Sequence, residues 1–395
     1  MKILQIGNNF RKSGGSESVF FNTIELLEGK RHRVIPFSLS NSKDLPSPFS
    51  KYFVDTEKFL HNKLFSFESR NRLRKLLKAE IPEIAHIHNI IGGVTFSILP
   101  VLKEQGIPIV ATIHDFRLLC PAYIFINGKN EICEKCKTGN YFHSILNQCS
   151  PLGFKRDVSI AFESYLRDFF QSYEKLIDSF IFVSKFQQNK FLEVNPEIEI
   201  KSNQIYNFTN RFDFNSSKGD YFLYFGRLTR EKSIFTLLKA FKDLSRFKLL
   251  IVGEGELEER INREKPDNVE LLGYKTGADL EKIIKASSFV IASSECFETN
   301  SMVTVEAFSL GKPVVGSDIG ALSELINPNN TGFLYESKNV SQLKSLIVEC
   351  SELNIDKYKQ ISKNAYDYAQ QNFSPDGHYD KLIEVYKKLL NQKIN

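Results

Sequence analysis

Residues 289–315 read FVIASSECFETNSMVTVEAFSLGKPVV, and this stretch decides the fold class. Phe289 to Ala292 is a short apolar run typical of a buried parallel strand, and a polar loop without helical periodicity follows it. A helix then begins after Ser301 and ends at Gly311, and Pro313 starts the next strand. This order of strand, loop, helix and strand predicts an α/β domain built on a parallel sheet.

Two carboxylates stand eight residues apart in this stretch. Glu298 lies on the loop at the carboxyl end of the strand, and Glu306 lies about one turn inside the helix. In open α/β sheets this edge binds ligands, so the pair is a candidate binding site. The spacing alone leaves a second interpretation open, in which both residues lie on a solvated loop and a solvated helix face.

Length and composition set the remaining bounds. A chain of 395 residues suggests two domains, and 42% hydrophobic with 25% charged residues is typical of a globular protein. No apolar run approaches the roughly 18 residues of a membrane span, and the N-terminus lacks the apolar region of a signal peptide, so we expect a cytoplasmic protein. The formal net charge of +5, without a basic and aromatic motif, argues against nucleic-acid binding.

The N-terminal half begins with a strand, a glycine-ended loop and a helix. We predict the strand at Lys2 to Ile6, the loop at Asn8 to Gly15 and the helix from Ser16 to about Glu28. Gly14 and Gly15 would let backbone N–H groups approach an anion at the helix N-terminus, and a plain tight turn is the alternative. The spacing is not G-x-G-x-x-G, which disfavours a dinucleotide cofactor.

Further strands alternate with polar or amphipathic segments, which is typical of doubly wound sheets. The predicted strands are Arg33–Ser38, Ile84–His88, Pro108–Ile113, Ser179–Ser184, Tyr221–Phe225, Lys248–Val252, Val269–Leu272, Phe289–Ala292 and Pro313–Gly316. The predicted later helices are Lys232–Leu244, Glu256–Arg263, Ala278–Lys285, Val340–Leu353 and His378–Asn391. Between the two series, Ile200 to Phe214 is rich in Asn and is predicted to be irregular.

Polar side chains follow several of these strands at their carboxyl ends. Arg227 and Lys232 offer phosphate oxygens a planar fork and a movable charge, with exposed surface cations as the alternative. The imidazole of His114 is placed to hydrogen-bond a ligand oxygen or to serve the structure. Weaker candidates at the same edges are His86, His88 and Asn89, and the turn Gly273-Tyr274 closes another strand.

Four cysteines have the spacing C-x12-C-x2-C-x12-C, and they are Cys120, Cys133, Cys136 and Cys149. The central pair has the spacing of a zinc knuckle, and four thiolates suit tetrahedral zinc. The segment between them is rich in loops and poor in apolar residues, so a metal would organise it. We therefore predict a structural zinc ion without a catalytic role, and four reduced thiols are the alternative.

Taken together, these motifs resemble those of the retaining glycosyltransferases of family 4, and the resemblance covers nearly the whole chain. The stretch around Glu298 and Glu306 resembles the family's Glu-x7-Glu signature, whose first Glu contacts donor-sugar hydroxyls and whose second holds the nucleotide ribose. FGRLTREKS at 225–233 resembles Gly-Arg-Leu-x-x-x-Lys-Gly, with Ser233 where Gly is usual. TIHDFRLLCP at 112–121 resembles a stretch whose His lines the donor-sugar pocket, and Gly14 to Glu17 resembles the family's Gly-Gly-x-Glu loop.

The resemblance implies an α/β fold of the GT-B type, with two Rossmann-like, doubly wound parallel-sheet domains facing each other across a cleft. Residues 1–206 would form the acceptor-side domain, with a Cys-bearing insertion at 120–149. Residues 207–372 would bind the nucleotide sugar, and residues 373–395 would form a helix that returns to the first domain.

The implied activity is transfer of a sugar, with retention of configuration, from a nucleotide sugar to a glycan or lipid-linked glycan in cell-surface polysaccharide synthesis. A UDP-sugar is the first choice of donor and a GDP-sugar the second. The chain contains no Asp-x-Asp, so no cofactor is required for catalysis and Arg227 and Lys232 take the place of a metal. The implied catalytic residues are His114, Glu298, Arg227 and Lys232. The implied donor site consists of Gly14, Gly15, Arg227, Lys232, Gly273, Tyr274, Glu298, Asn300, Ser301, Met302 and Glu306.

Two alternatives stay open for the activity: a non-catalytic partner subunit of the same fold, and an oxidoreductase that uses a nicotinamide cofactor. Two helical segments raise the question of a membrane or lipid partner. Asn62–Glu80 is basic and partly amphipathic, which is compatible with peripheral contact with the inner membrane surface or with a solvated helix. Phe154–Tyr173 carries aromatic residues at helical spacing, and we predict a core or lid stripe, with a docking surface for a lipid-linked acceptor as the alternative.

Overall fold

The computed structural model of the protein describes residues 1–10, 15–40, 45–55, 65–170 and 173–394. The predicted site residue Gly14 and the first residues of the predicted segment Asn62–Glu80 lie outside these ranges. The chain forms two compact units. The first consists of Met1–Lys129, Cys133–Tyr206 and His378–Asn395, and the second of Asn130–Ile132 and Asn207–Gly377.

Each unit is built on one parallel sheet. The strands are β1 (Lys2–Asn9), β2 (Arg33–Ser40), β3 (Val54–Asp55), β4 (Ile84–His88), β5 (Ile109–Ile113), β6 (Ser179–Phe182), β7 (Ser202–Gln204), β8 (Tyr221–Phe225), β9 (Lys248–Val252), β10 (Val269–Leu271), β11 (Phe289–Ala292), β12 (Val314–Ser317) and β13 (Gly332–Tyr335). The first sheet has the order β3-β2-β1-β4-β5-β6-β7, and the second has the order β10-β9-β8-β11-β12-β13. Every pairing between these strands is parallel.

Helices connect the strands, as parallel pairing requires. They are α1 (Gly15–Gly29), α2 (Phe67–Ala79), α3 (Leu99–Glu104), α4 (Phe142–Leu146), α5 (Phe154–Phe170), α6 (Tyr173–Leu176), α7 (Lys185–Leu192), α8 (Ile234–Lys242), α9 (Glu258–Glu264), α10 (Gly277–Ala286), α11 (Met302–Ser309), α12 (Ala321–Leu325), α13 (Val340–Glu352), α14 (Ile355–Phe373) and α15 (Pro375–Ile394). None of the described helices is long and apolar enough to cross a membrane.

Separate hydrophobic cores stabilise the two units. In the second unit, Leu237 and Phe241 of α8 pack with Phe289 of β11, and all three are fully buried. In the first, Leu382 and Tyr386 of α15 join the core that β1 and α1 form. Full burial of such a side chain contributes about 1.5–3 kcal/mol, so α15 is an integral part of the first unit although it comes last in the chain.

Several sequence predictions of local structure are wrong at their edges. β1 continues through Asn9, so the predicted loop begins later than Asn8. β7 lies inside the segment Ile200–Phe214 that was predicted to be irregular, because its three residues pair with β6 rather than forming a hydrophobic run of their own. Lys232 ends a short 3-10 turn, and α8 begins two residues later.

Candidate functional site

The strand order of the second sheet reverses between β8 and β11, where the chain leaves β8 toward β9 on one side and β11 toward β12 on the other. In open α/β sheets ligands bind at such a point, outside the carboxyl ends of the strands. The predicted residues Arg227 and Lys232 follow β8, and Glu298 follows β11. The fold therefore brings the two predicted motifs to one edge of one sheet.

Lys232 and Glu298 form an ion pair at this edge. Lys232 Nζ donates to Glu298 Oε1, and Ser294 Oγ donates to the same oxygen at 2.8 Å. The side chains are largely buried, with 21% of Lys232 and 16% of Glu298 exposed. Burial alone would raise the pKa of the Glu298 carboxyl, but the charge and hydrogen bond of Lys232 lower it below its ordinary value. Glu298 in turn raises the pKa of Lys232 against the effect of burial, so both groups are charged at neutral pH.

The loop after β11 is fastened to the turn after β8. Ser293 Oγ donates to the carbonyl oxygen of Lys232 at 2.8 Å, and the backbone N–H of Glu295 donates to the carbonyl oxygen of Glu231 at 2.8 Å. Ser233 has a φ of +57°, in the left-handed region that favours Gly, and its hydroxyl donates to Glu295 Oε1 at 2.9 Å. This backbone conformation explains why Gly is usual at this position of the family motif.

Arg227 is the exposed cation of this edge. Its side chain is 61% exposed and forms a 3.4 Å ion pair with Glu231. The hydroxyl of Tyr224 donates to the carbonyl oxygen of Arg227 at 2.8 Å and so fixes the backbone from which the side chain extends. An exposed guanidinium with a single carboxylate partner keeps donors for a phosphate.

Glu306 lies on α11, which Ser301 caps by accepting a hydrogen bond from the backbone N–H of Thr304 at 3.3 Å. Burial raises the pKa of the Glu306 carboxyl, and Arg211 offsets this effect in part. The carboxylate has no hydrogen bond with another described residue. Asn300 Oδ1 is also buried without a partner among the described residues, while Asn300 Nδ2 lies 3.7 Å from the sulfur of Met302. Acceptors without partners at the start of α11 and one turn inside it suit a ligand with hydroxyl groups.

Gly273 and Tyr274 follow β10, which is two strands away from β8, or about 10 Å. Gly273 has a φ of +70°, and its carbonyl oxygen accepts a hydrogen bond from the backbone N–H of Gly253 at 3.0 Å. Tyr274 is exposed. The pair lies on the same edge of the sheet as the Lys232–Glu298 pair but not beside it.

In the first unit, His114 follows β5 and contacts a second histidine. Its Nε2 lies 3.0 Å from Nδ1 of His88, and the two rings stack. His86 lies between Thr112 and Tyr386, with 2.7 Å from a ring nitrogen to each hydroxyl. Burial lowers the pKa of all three imidazoles, to about 4 for His114, so they are neutral at physiological pH. A small cavity of about 30 Å³ lies beside His114 and is lined also by Asn89 and Asp115.

Gly15 begins α1, at the predicted anion-binding loop. The carboxylate of Glu17 accepts hydrogen bonds from Asn9 Nδ2 and Ser16 Oγ, both at 3.0 Å. This places a negative charge in the first turn of α1, where it complements the helix dipole. Residues 11–14 lie outside the described ranges, so anion binding at Gly14 and Gly15 stays a prediction, with a plain tight turn as its alternative.

All four cysteines of the predicted zinc site are free thiols. Burial raises the pKa of Cys120 to about 11 and that of Cys136 and Cys149 to about 12, and neighbouring thiols add to the effect. The four groups are thus near each other. However, the described part of the chain contains no group of three or more His, Cys, Asp or Glu side chains placed to bind a metal ion. The structural zinc ion therefore stays a prediction from the spacing of the four cysteines.

The sequence predicted a core or lid stripe on α5; the core version is wrong for three residues, and the lid version stays a prediction. Phe162, Tyr165 and Phe169 are exposed, whereas Tyr173, on α6, is buried. Sequence reasoning missed two contacts of this site. Ser294 donates to the carboxylate of Glu298, and Ser233 donates to that of Glu295. The two serines that end the strand run at 293–294 were a usable signal, because polar residues directly after a buried strand lie at the ligand edge.

Known proteins share the sequence motifs and the fold of this chain. Residues 207–368 match the family described as glycosyl transferases group 1, and residues 13–210, half of the chain, match the family described as glycosyltransferase family 4. An uncharacterized glycosyltransferase of Methanocaldococcus jannaschii is 28% identical over 229 residues, which is 56% of this chain and 63% of that protein. The lipopolysaccharide 1,2-N-acetylglucosaminetransferase of Salmonella typhimurium is 28% identical over 169 residues, 38% of this chain and 44% of that protein. The chain thus spans about half to two thirds of the length of these relatives.

Two solved structures share the fold over nearly all of both chains. Sucrose-phosphate synthase from Thermosynechococcus elongatus has a TM-score of 0.72 at 15% identity and covers 99% of each chain. The Anabaena protein HepE in complex with UDP-glucose has a TM-score of 0.67 at 19% identity, covering 98% of this chain and all of that one. These likenesses and the two parallel sheets confirm the predicted α/β fold of the GT-B type. By its sequence matches and its fold, the chain belongs to glycosyltransferase family 4.

Proposed function

We propose that the protein is a retaining glycosyltransferase that moves a sugar from a nucleotide-sugar donor to a glycan or lipid-linked glycan in surface-polysaccharide synthesis. Family membership supports the reaction class. The name of the Salmonella relative supports a surface polysaccharide, and the UDP-glucose complex of HepE supports a UDP-sugar as the first donor to test. The single observation that carries the proposal is the Lys232–Glu298 pair at the point where the second sheet reverses its strand order.

The charges of this edge suit a leaving diphosphate. As the bond between the anomeric carbon and the phosphate oxygen breaks, negative charge develops on that oxygen. Lys232 is held as a cation by Glu298, and Arg227 extends a guanidinium from the same turn. A fixed, largely buried cation such as Lys232 stabilises developing charge without reorganising, and the exposed guanidinium of Arg227 adds charged donors for the phosphate oxygens.

The carboxylates have separate tasks in this proposal. Glu298 uses one oxygen for Lys232 and Ser294, and the other is available for a sugar hydroxyl. Glu306, fixed on α11 without a hydrogen-bond partner among the described residues, accepts from the ribose hydroxyls of the nucleotide. In the retaining reaction, the acceptor oxygen bonds to the anomeric carbon on the face from which the diphosphate departs, and the hydroxyl proton passes to the departing phosphate oxygen.

The first unit supplies the acceptor side. Its pocket beside His114 is mainly apolar, with Asn89 and Asp115 among its polar residues. Burial keeps the imidazoles of His88 and His114 neutral, and the 3.0 Å contact between them uses one ring nitrogen of each. This edge therefore presents neutral groups rather than a positive charge to an acceptor, which suits an uncharged glycan.

Donor binding and donor turnover test the proposal separately. Thermal unfolding is measured with UDP, GDP and ADP, since a ligand at 100 times its Kd stabilises the folded state by about 2.7 kcal/mol. Hydrolysis and transfer are then measured with UDP- and GDP-sugars, with Glu298→Gln as the matched control of reduced activity. We expect UDP to stabilise the protein and a UDP-sugar to turn over. Stabilisation without turnover of any donor would instead favour a non-catalytic subunit, and no response to any nucleotide would overturn the proposal.

A further inference from the structure

The apolar face of helix α5 is exposed to solvent, and its polar face is buried. Phe154, Val158, Phe162, Tyr165 and Phe169, here called the aromatic stripe, are all exposed, and Phe169 is 81% exposed. At 100° per residue these five positions fall within an arc of about 80° over a length of about 22 Å. Spacing of this kind normally marks the buried face of a helix, so the outward position of the stripe calls for an apolar partner.

The side chains on the inward face of α5 are polar or small. The exposure of the stripe is therefore not a simple rotation of an apolar face away from the core. Asp157, Ser164 and Arg167 are buried, with Ala161 between them. Asp157 accepts a hydrogen bond from the backbone N–H of Ser150 at 2.8 Å, and Arg167 lies 3.2 Å from Glu163. Because these polar side chains have their partners inside the protein, turning the stripe inward would break buried polar contacts.

Neighbouring residues broaden the stripe into a surface. Helix α4 packs on α5, where the backbone N–H of Phe142 donates to the hydroxyl of Tyr165 at 3.0 Å. Phe142 and Leu146 are exposed one turn apart on α4, and Leu152 is exposed just before α5. Apolar side chains from two adjacent helices thus form one broad exposed patch instead of lining a groove for a single peptide.

The charges beside the patch distinguish between its candidate partners. Lys155 is exposed next to the stripe, Arg156 follows it, and neither forms an ion pair with another described residue. The acidic side chains of α5 are already engaged: Asp157 is buried, Glu163 pairs with Arg167, and Asp168 contacts Arg167 and the hydroxyl of Tyr141. A second copy of this patch would therefore bring apolar residues but no free carboxylate to the two cations, whereas anionic lipid headgroups supply the negative charge.

Helix α2, which carries the basic sequence, lacks this arrangement. Arg72 pairs with Glu68 at 2.7 Å, and Arg74 pairs with Glu104 at 3.2 Å. Arg70 donates to the carbonyl oxygen of Ser97 at 3.0 Å. Lys75 and Lys78 of α2 form no ion pair with another described residue, but Leu73, Leu76 and Leu77 of this helix are buried. An interfacial helix needs an exposed apolar face, so α5 rather than α2 has its features.

We propose that the aromatic stripe of α5, together with Lys155 and Arg156, docks the protein on the surface of an anionic lipid bilayer. The aromatic rings enter the boundary between headgroups and acyl chains, and the two cations lie among the phosphates. This inference concerns binding and does not rest on the proposed sugar transfer. It holds or fails in a vesicle assay without any donor.

The chain contains no Trp, so one introduced Trp is a specific reporter. Phe162→Trp places it in the stripe, and Phe67→Trp places it on α2 at an aromatic residue of similar exposure as a matched control. Vesicles of phosphatidylcholine with phosphatidylglycerol are added, with and without brominated acyl chains. We expect blue-shifted emission and bromine quenching at position 162 and little change at position 67. Equal signals at both positions, or none at 162, would overturn the assignment to α5.

Flotation with the same vesicles measures affinity. We expect Phe162→Ser with Phe169→Ser to weaken binding at least tenfold, and Lys155→Gln with Arg156→Gln to weaken it by a similar factor on anionic but not on neutral vesicles. The cation pair has no described side-chain partner, so its variant tests the proposal even where the Phe variant unfolds. Light scattering of the wild type is the control: self-association that the Phe variant abolishes, without vesicle binding by the wild type, would show an interface between copies instead.

Discussion

At the scale of single residues, Arg227 and Lys232, the two cations that follow β8, differ in burial. Arg227 is mostly exposed, while Lys232 is largely buried against Glu298. Removing one member of a buried pair leaves the other uncompensated, whereas removing an exposed cation costs little stability. The sequence placed both cations at the ligand edge but gave no sign of this difference, because burial depends on the loop after β11.

We therefore expect Arg227→Gln and Lys232→Gln to separate binding from stability. Both should weaken UDP binding about tenfold, since each removes a charged donor for the diphosphate. Only Lys232→Gln should also lower the free energy of unfolding, by about 2 kcal/mol, because it leaves the Glu298 carboxylate without its counter-ion. Calorimetry and urea unfolding check the two quantities. Unchanged UDP affinity in both variants would contradict the assignment of the cations.

Substitutions of Glu298 and Glu306 should weaken the binding of different parts of the donor. Glu298→Gln should cut transfer about tenfold or more while free UDP, which has no hexose, binds nearly as in the wild type. Glu306→Gln should weaken UDP and the UDP-sugar alike, because both contain the ribose. Affinities and transfer rates for the two variants decide the matter, and an equal loss of UDP affinity would mean that the roles are assigned wrongly.

The raised pKa of Glu306 predicts that the free energy of unfolding depends on pH. Burial raises its pKa above the ordinary value near 4.5, so the charged form is disfavoured in the folded protein. The resulting cost to folding is absent below that ordinary value, appears as the pH rises through it and is complete above the raised pKa. Glu306→Gln should therefore raise the free energy of unfolding at pH 7 and leave it unchanged near pH 4. A gain of equal size at both pH values would show that the carboxylate charge is not its cause.

At the scale of elements, the sequence predicted which segments form strands and helices better than where they end. The apolar runs of β4, β8 and β11 were predicted at their observed limits, since buried parallel strands are continuous hydrophobic runs. β3 and β7 have two and three residues and little hydrophobic pattern, so only their pairing partners define them. The aromatic spacing of α5 predicted a helix correctly but not the direction of its apolar face. That direction is set by buried Asp157 and Arg167, whose charged side chains read as surface residues in the sequence.

The turn between β8 and α8 offers a test of backbone strain. A non-Gly residue in the left-handed region costs about 1 kcal/mol, and the hydroxyl of Ser233 offsets this cost by its hydrogen bond to Glu295. Ser233→Gly loses the bond but relieves the strain, so we expect stability within about 0.5 kcal/mol of the wild type. Ser233→Ala loses the bond and keeps the strain, and it should be about 1 kcal/mol less stable than the Gly variant. Chemical denaturation measures both, and equal stability of the two variants would show that the left-handed conformation is not strained.

The spacing of the four cysteines predicts one zinc ion per chain. Elemental analysis of protein purified under reducing conditions without chelator measures it, with Cys133→Ser and Cys136→Ser as the matched variants. The expected result is one zinc ion in the wild type and none in the variants. Finding no zinc in the wild type would agree with four reduced cysteines, and the zinc prediction would then be wrong.

At the scale of the whole molecule, the repeated order of strand and helix was enough to predict two parallel sheets, because a parallel pair requires a crossover connection. The position of the Lys232–Glu298 pair was predictable to the same degree, since it follows from the carboxyl ends of two strands. The bonds of Ser293 and Ser294 that hold the pair were not, because they join loops some sixty residues apart in the sequence. Such contacts depend on the finished sheet and leave no local pattern.

Helix α15 has a consequence for the order of events during synthesis. The core of the first unit includes Leu382 and Tyr386, yet nearly all of the second unit, from Asn207 to Gly377, is translated between Tyr206 and these residues. At about 5–20 residues per second, the nascent first unit therefore waits roughly ten seconds or more at the ribosome with part of its hydrophobic core uncovered. During that interval it is a natural client for a chaperone, and it reaches its native state after the second unit although it emerges first.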